Sequence, residues 1–242
     1  MKKFLKIFDY IATILFSFFF ILSCLFISII PIASNSSYYM KQYERNGVGE
    51  YLKGYSIEQL KEVTDSITSY LFNKKESMQV YFNDKPFFSD QAISHMSDVK
   101  DLFNLGVILG IISIILSITL LVYLIYRRKE IKKRFRLASY LTFGFFLIII
   151  IVIGVLALID FDSFWTNFHH ILFPDINKFN NAFFPYDDTL INVLTLDFFF
   201  DVIIDIIARI LSLFIVYFIF VQCLYGKTYK KIKNTYQKLI SK

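Results

Sequence analysis

Four stretches of the chain, at 10–32, 105–126, 137–159 and 202–225, are apolar on every face for roughly 20 residues, the length that carries a helix across a bilayer. None alternates with period two, which excludes the strands of a transmembrane barrel. Inside lipid only helices or closed barrels satisfy their own backbone, so the four runs are predicted to be helices. Segments 33–104 and 160–201 break the apolar texture with Asn, Ser, Gly, Pro and charged residues. The predicted fold class is all-α membrane: a four-transmembrane-helix bundle with a small extracytoplasmic cap, forming one membrane domain over 1–242.

The first polar segment has local signals of its own. Asn35-Ser36-Ser37 and Asn46-Gly47-Val48-Gly49 read as loops. Ser56-Ile57-Glu58-Gln59 is a capping box, and Ile57, Leu60, Val63, Ile67, Tyr70 and Leu71 follow at helical spacing, predicting a helix over 57–71. Residues 78–82 suggest a short strand, with Asn83-Asp84-Lys85-Pro86 turning after it. Ser89-Asp90-Gln91 starts another helix, which carries His95 and Asp98 one turn apart and runs on into the second apolar stretch. At ~1.5 Å per residue, His95 stands roughly 15 Å out from Leu105, near the headgroup layer. Gly106 and Gly110 form a small-xxx-small pair, read as close helix packing within the bundle.

Charge orients the spans. Lys2, Lys3 and Lys6 precede the first. Arg127, Arg128, Lys129, Lys132, Lys133, Arg134 and Arg136 fill a short loop between the second and third. Lys227, Lys230, Lys231, Lys233, Lys238 and Lys242 follow the fourth. The positive-inside rule places all three clusters, and both termini, in the cytoplasm, and places segments 33–104 and 160–201 outside. The net charge of +6 then reflects topology and contact with membrane lipid headgroups, and no nucleic acid is expected as a partner. The first span is too long for a signal-peptide core, no small-x-small site follows it closely, and Ile21-Leu22-Ser23-Cys24 lacks the small residues of a lipoprotein cleavage box. It is expected to be an uncleaved anchor. Cys24 and Cys223 lie within spans and are expected as buried apolar fillers. Oligomeric state is not legible.

Chemistry narrows quickly. The chain has three histidines, His95, His169 and His170, and all lie in the two external segments. Histidine is the side chain whose ordinary pKa suits proton transfer near neutral pH, so an enzyme is indicated. There is no phosphate-binding glycine loop, no Gly-x-Ser-x-Gly, no Cys-x-x-Cys and no His-Glu-x-x-His. Energy-driven transport is disfavoured, and no cofactor is expected. No metal is expected either, because adjacent helical residues such as His169 and His170 point apart and chelate poorly. Trp165 and the phenylalanines around it read as interfacial aromatics; His169-His170 and Pro185-Tyr186-Asp187-Asp188 exceed that reading. Asp197, Asp201, Asp205 and Arg209 share one helix face, with Arg209 about one turn inside the outer leaflet. Such a charge faces a polar cavity, or Asp205 and Arg209 pair to staple the bundle. Histidine acid–base chemistry at the outer leaflet suits a substrate that reacts with itself.

The run His95-Met96-Ser97-Asp98-Val99-Lys100, within 89–103, resembles the His-Met-x-Asp-Val-Lys signature of the bacterial lipoprotein intramolecular transacylase family. Phe168-His169-His170-Ile171-Leu172-Phe173 is similar to that family's Phe-His-x-Leu-Phe-Phe segment. Pro185-Tyr186-Asp187-Asp188-Thr189-Leu190-Ile191, the Phe198-Phe199 pair and the Gly54-Tyr55-Ser56 helix start fit its pattern as well. The family has an aromatic shortly after the second histidine, a place for Phe179 or Phe183. The resemblance implies transfer of the sn-2 acyl chain of a diacylglyceryl-cysteine to the α-amino group of the same cysteine, giving a lyso-form lipoprotein. The implied partner is a diacylated bacterial lipoprotein, and the implied place is the bacterial cell membrane. His95 is expected as the base that activates the amine, with Asp98 orienting it. His169 is expected to stabilise the oxyanion or protonate the glyceryl oxygen, and the two roles are exchangeable. Asp188, Asp205, Arg209 and His170 are supporting candidates. Two other classes remain open: an acyltransferase acting between two lipids, and a non-enzymatic membrane chaperone or transporter subunit.

Overall fold

The computed structural model describes residues 2–225, and the basic cluster that begins at Lys227 lies outside them. In chain order the helices are α1 (Lys2–Ala33), α2 (Ser36–Arg45), α3 (Val48–Tyr51) and α4 (Ile57–Leu71). The strands β1 (Tyr81–Phe82) and β2 (Lys85–Pro86) come next. They are followed by α5 (Asp90–Tyr126), α6 (Arg128–Ile159), α7 (Phe161–Leu172), α8 (Ile176–Asn181), α9 (Thr189–Val193) and α10 (Leu196–Tyr225). Four stretches are long and apolar enough to cross a membrane: Phe4–Ala33, Asp90–Tyr126, Phe135–Ile159 and Leu196–Cys223. Only Arg127 separates α5 from α6, so the basic run expected as a loop is helical from Arg128. Lys, Arg and Glu are good helix formers, and the apolar run that follows propagates the helix back through them.

The chain divides into two compact units. Within the described residues, one comprises 2–27, 109–152 and 207–225. Its core is thin: Ala12, Phe16, Leu124, Phe135, Tyr217 and Val221 are buried together. Phe16 lies 5.8 Å from the Phe135 ring and 6.1 Å from Tyr217. Asp9 is buried here and accepts from the Tyr123 hydroxyl at 2.7 Å and from two Arg127 nitrogens at 3.2 and 3.1 Å. A buried carboxylate needs such a bidentate cation. A Cβ on Gly110 would collide with the Phe26 ring, whereas Gly106 has open space, so only one member of the small-residue pair serves close packing. Cys24 is buried but Cys223 is exposed, which corrects the expectation of two buried fillers. In lipid an exposed apolar side chain has no reason to turn inward.

The other unit comprises 28–108 and 153–206. Its helix α4 begins and ends where the capping box and periodicity place it. Gln59 N donates to Ser56 Oγ at 3.2 Å, and Ser56 N donates to Gln59 Oε1 at 2.8 Å. Leu60, Val63 and Ile67 bury the inner stripe of α4 against Tyr39 and Tyr43 of α2, Ala92 and Met96 of α5, Leu190 and Val193 of α9, and Phe198 of α10. The run 35–37 is not a loop: Asn35 caps α2, its side chain accepting from Ser37 N at 3.1 Å. The hairpin is shorter than the predicted 78–82 strand, pairing Tyr81 with Pro86 and Phe82 with Lys85. Asn83 and Asp84 both take positive φ, 52° and 60°, as a two-residue hairpin turn requires. Before it the Gln79 side chain replaces a strand partner, bonding the N–H and C=O of Phe88 at 2.9 and 2.8 Å.

Candidate active site

His95 is held by the start of α5. Ser89 Oγ accepts from Ala92 N at 3.1 Å and donates to Asp188 Oδ2 at 2.6 Å, while Asp188 Oδ1 accepts from Leu190 N at 2.8 Å to cap α9. One carboxylate thus fixes the first turns of two helices, and His95 stands one turn beyond Ala92. His169 is placed by α7, whose N-terminus Asp160 caps by accepting from Ser163 N at 3.0 Å.

The two imidazoles stack. Their centroids are 5.9 Å apart, with 29° between the ring planes. Phe173 and Phe184 meet the His95 ring edge to face at 5.4 and 5.6 Å. Trp165 meets His169 at 4.6 Å and stacks in turn on Phe199 of α10 at 4.3 Å. This aromatic cage leaves His95 6% exposed. Burial, reinforced by the neighbouring His169, lowers the His95 pKa to about 4, with Asp98 pulling weakly the other way. Burial also lowers that of His169, against the hydrogen bond to Trp165. Both rings are therefore neutral at pH 7.

The ring nitrogens differ. His169 Nδ1 lies 2.9 Å from the backbone carbonyl of Trp165. A carbonyl only accepts, so Nδ1 carries the proton and Nε2 presents a lone pair. His95 Nδ1 is buried with no hydrogen-bond partner among the described residues. A buried, unsatisfied ring nitrogen costs about 1–3 kcal/mol, and such atoms concentrate where a substrate completes the bonding.

The other site candidates scatter. Asp98 does not orient His95: its Oδ1 accepts from Lys178 Nζ of α8 at 2.6 Å, and that bond raises the Lys178 pKa. An ammonium is a stronger partner for a carboxylate than a neutral imidazole. His170 is exposed, about 100° around the helix from His169. Asp188 caps helices. Asp205 accepts from the Tyr38 hydroxyl at 2.8 Å, and Arg209 is exposed and forms no ion pair among the described residues. Phe183 is exposed, its neighbour Phe184 packing on His95 instead; the side chain of Phe179 lies outside those described. Trp165, Phe173 and Phe184, expected from sequence only as interfacial aromatics, line the site instead, and Lys178 joins it with no sequence signal of its own. Trp165 was findable, standing four residues before His169 on what proves to be one helix. Among the described residues no group of three His, Cys, Asp or Glu side chains is arranged to hold a metal ion.

A family model described as lipoprotein intramolecular transacylase Lit matches residues 14–199. Among solved structures, the membrane-integral lipoprotein intramolecular transacylase Lit from Bacillus cereus superposes with a TM-score of 0.77 at 18% identity, over 92% of this chain and 98% of that one. The same protein with one histidine replaced by alanine gives 0.72 at 18% identity, over 94% and 98% of the two chains. With arginine at that histidine it gives 0.72 at 16%, over 95% and 97%. A search of curated proteins finds no match. At these identities the superpositions establish the fold, a mostly helical membrane protein, and the family rests on the family model.

Proposed function

The chain belongs to the lipoprotein intramolecular transacylase family, and on that premise we propose that it moves the sn-2 acyl chain of a diacylglyceryl-cysteine lipoprotein onto the α-amino group of the same cysteine. The nitrogen attacks the ester carbonyl, the carbon–oxygen bond to glycerol breaks, and the proton lost by nitrogen ends on the glyceryl oxygen. The products are an amide and a free sn-2 hydroxyl, within one molecule. Exchanging an ester for an amide is downhill, which suits a chain without a nucleotide motif.

The observation that carries this reading is the pair of neutral imidazoles stacked 5.9 Å apart in an aromatic cage. Moving one proton between two substrate atoms needs an acceptor that becomes a donor, and a hydrogen bond to the developing oxyanion. His169 offers only Nε2, with its tautomer locked by the Trp165 carbonyl, which suits the shuttle. His95 offers the unpartnered Nδ1, which suits an N–H donated to the oxyanion. Of the two exchangeable assignments this favours His169 as base. Asp188 and Ser89 act by positioning His95. The three basic clusters support cytoplasmic termini and a site on the outer face of the bacterial membrane.

Tandem fragmentation of lipoprotein N-terminal peptides, from hosts with and without this gene, tests the reaction. Intramolecular transfer leaves the mass unchanged and moves one acyl chain to nitrogen. A gain of one acyl mass would instead indicate an acyltransferase between lipids, and no change would leave a chaperone or transporter subunit. His95→Ala, still present in the membrane, should lose about 10²- to 10³-fold in conversion, as expected for loss of one donor to the oxyanion. His95→Gln, which keeps an N–H, should retain more than His169→Gln; the reverse ranking would return the base role to His95.

A further inference from the structure

A second polar cluster of the same unit lies where α2 meets α10. Tyr38, Gln42 and Arg45 fall on one face of α2 with Asn46 capping its end, and Asp201 and Asp205 lie on the facing side of α10. Tyr38 donates to Asp205 Oδ2 at 2.8 Å, Arg45 pairs with Asp201 Oδ1 at 3.3 Å, and Asn46 donates to Asp201 Oδ2 at 3.4 Å. Gln42 sits one turn from Tyr38, Arg45 and Asn46, 4% exposed, and its Oε1 is buried without a hydrogen-bond partner among the described residues.

Two properties of the cluster are unbalanced. It has two carboxylates against one guanidinium, whose side chain is 65% exposed. It also has acceptors in excess: the Gln42 carbonyl oxygen is unsatisfied, and the Tyr38 hydroxyl engages one of the two Asp205 oxygens. A half-buried site short of one positive charge and of hydrogen-bond donors is complementary to a cation that carries N–H groups. A metal ion fits less well, because Arg45, Asn46 and Tyr38 already direct donors at the same carboxylates, and hard cations need six or more oxygens.

We propose that this α2–α10 cluster binds the α-ammonium group of the lipoprotein cysteine before transfer, an inference that rests on the activity proposed above. The amine of an unacylated N-terminus has an ordinary pKa of about 8, so at pH 7 it is mostly the three-donor cation this site lacks. The cluster joins the histidine pair through α10: Phe198 packs on Tyr38 at 6.5 Å, and the adjacent Phe199 stacks on Trp165, whose carbonyl holds His169. Once the nitrogen is acylated it is neutral, with a single N–H, so the site holds substrate and releases product.

The test uses the full-length protein in nanodiscs and two synthetic diacylglyceryl-cysteine peptides, one with a free amine and one N-acetylated. Binding is measured in a His95→Ala background, which prevents turnover. The free-amine peptide should bind about tenfold tighter, the size expected of one hydrogen-bonded charge pair. Asp205→Asn should erase the difference, and Arg45→Gln, a change at an exposed side chain that removes the competing charge, should widen it. Unfolding curves establish that both variants are folded. If Asp205→Asn misfolds, Arg45→Gln alone decides. A preference that neither variant alters, or that millimolar calcium abolishes, overturns the proposal. Conversion by the wild-type enzyme without any preference for the free amine would sink the site and leave the activity. A preference without conversion would do the opposite.

Discussion

The two units of this chain obey different rules of burial. In the 28–108 and 153–206 unit, side chains such as Val63 and Ile67 are fully enclosed, and helices are short, capped and amphipathic. In the other unit the long helices leave most of their apolar surface outward: only 6% of the most apolar window of Phe135–Ile159 is buried within the protein. The difference is one of solvent. Water drives the first unit to enclose its hydrophobic side chains. Lipid tails are as apolar as leucine, so the second gains little from enclosure and is joined by packing and a few polar contacts such as Asp9 with Arg127.

Truncation should therefore have unequal effects in the two units. Ile67, 0% exposed on α4, becomes a cavity when shortened, and Ile67→Ala should cost about 2–5 kcal/mol. Ile148, 63% exposed on α6, leaves no cavity behind, and Ile148→Ala should cost under about 1 kcal/mol. Unfolding of both variants in the same nanodiscs compares them. Equal losses would mean that the outward face of α6 is packed against protein, in a second copy or another chain.

The same contrast decides what could be read from the sequence. In the aqueous part, short-range physics is written locally: the Ser56–Gln59 box and the Leu60–Val63–Ile67 stripe gave α4 to the residue, and Ser89 marked the start of α5. Local signals misled where one residue type serves two ends, as at Asn35, which caps a helix as readily as it turns a loop. In the membrane part, continuous hydrophobicity announces a helix but carries no period, so which face meets which neighbour is silent. Helix α7 was missed for a related reason: its aromatics surround it and none of its residues is buried, so no stripe stands out. The candidate site suffers most. His95 and His169 are 74 positions apart; charge topology puts both on one membrane face, and the family resemblance pairs them in one site. The Asp98–Lys178 pair and the Trp165 carbonyl are long-range or backbone choices that no motif records.

Within the aqueous unit, a sharper comparison sets one histidine against its neighbour. His169 faces His95 inside the aromatic cage, while His170 is exposed. His169→Ala should lower the conversion rate at least about tenfold, or roughly 1.4 kcal/mol of transition-state stabilisation. His170→Ala should stay within a few-fold. Rates of the two variants at equal expression decide it. The reverse ranking would move the second catalytic role to His170, and equal, mild losses would leave His95 working with another group.

Stability should also depend on pH through the buried histidine of the aqueous unit. Burial, and secondarily His169, hold the His95 pKa near 4 in the folded protein, against about 6.5 for a free imidazole. Between those values the unfolded chain binds a proton at His95 that the folded chain refuses. Stability from this group is therefore complete above pH 6.5 and declines as pH falls toward 4, by at most about 1.4 kcal/mol per pH unit. The lowered pKa of His169 adds in the same direction. His95→Gln keeps the volume and polarity of the side chain but cannot titrate. Its Tm should fall less than the wild-type Tm when the pH is lowered from 6.5 to 4.5, and the two curves should run parallel above pH 7. Parallel curves throughout would mean that His95 is protonated as readily folded as unfolded, so that the aromatic cage around it admits water and a neutral pair of imidazoles is not what the enzyme uses.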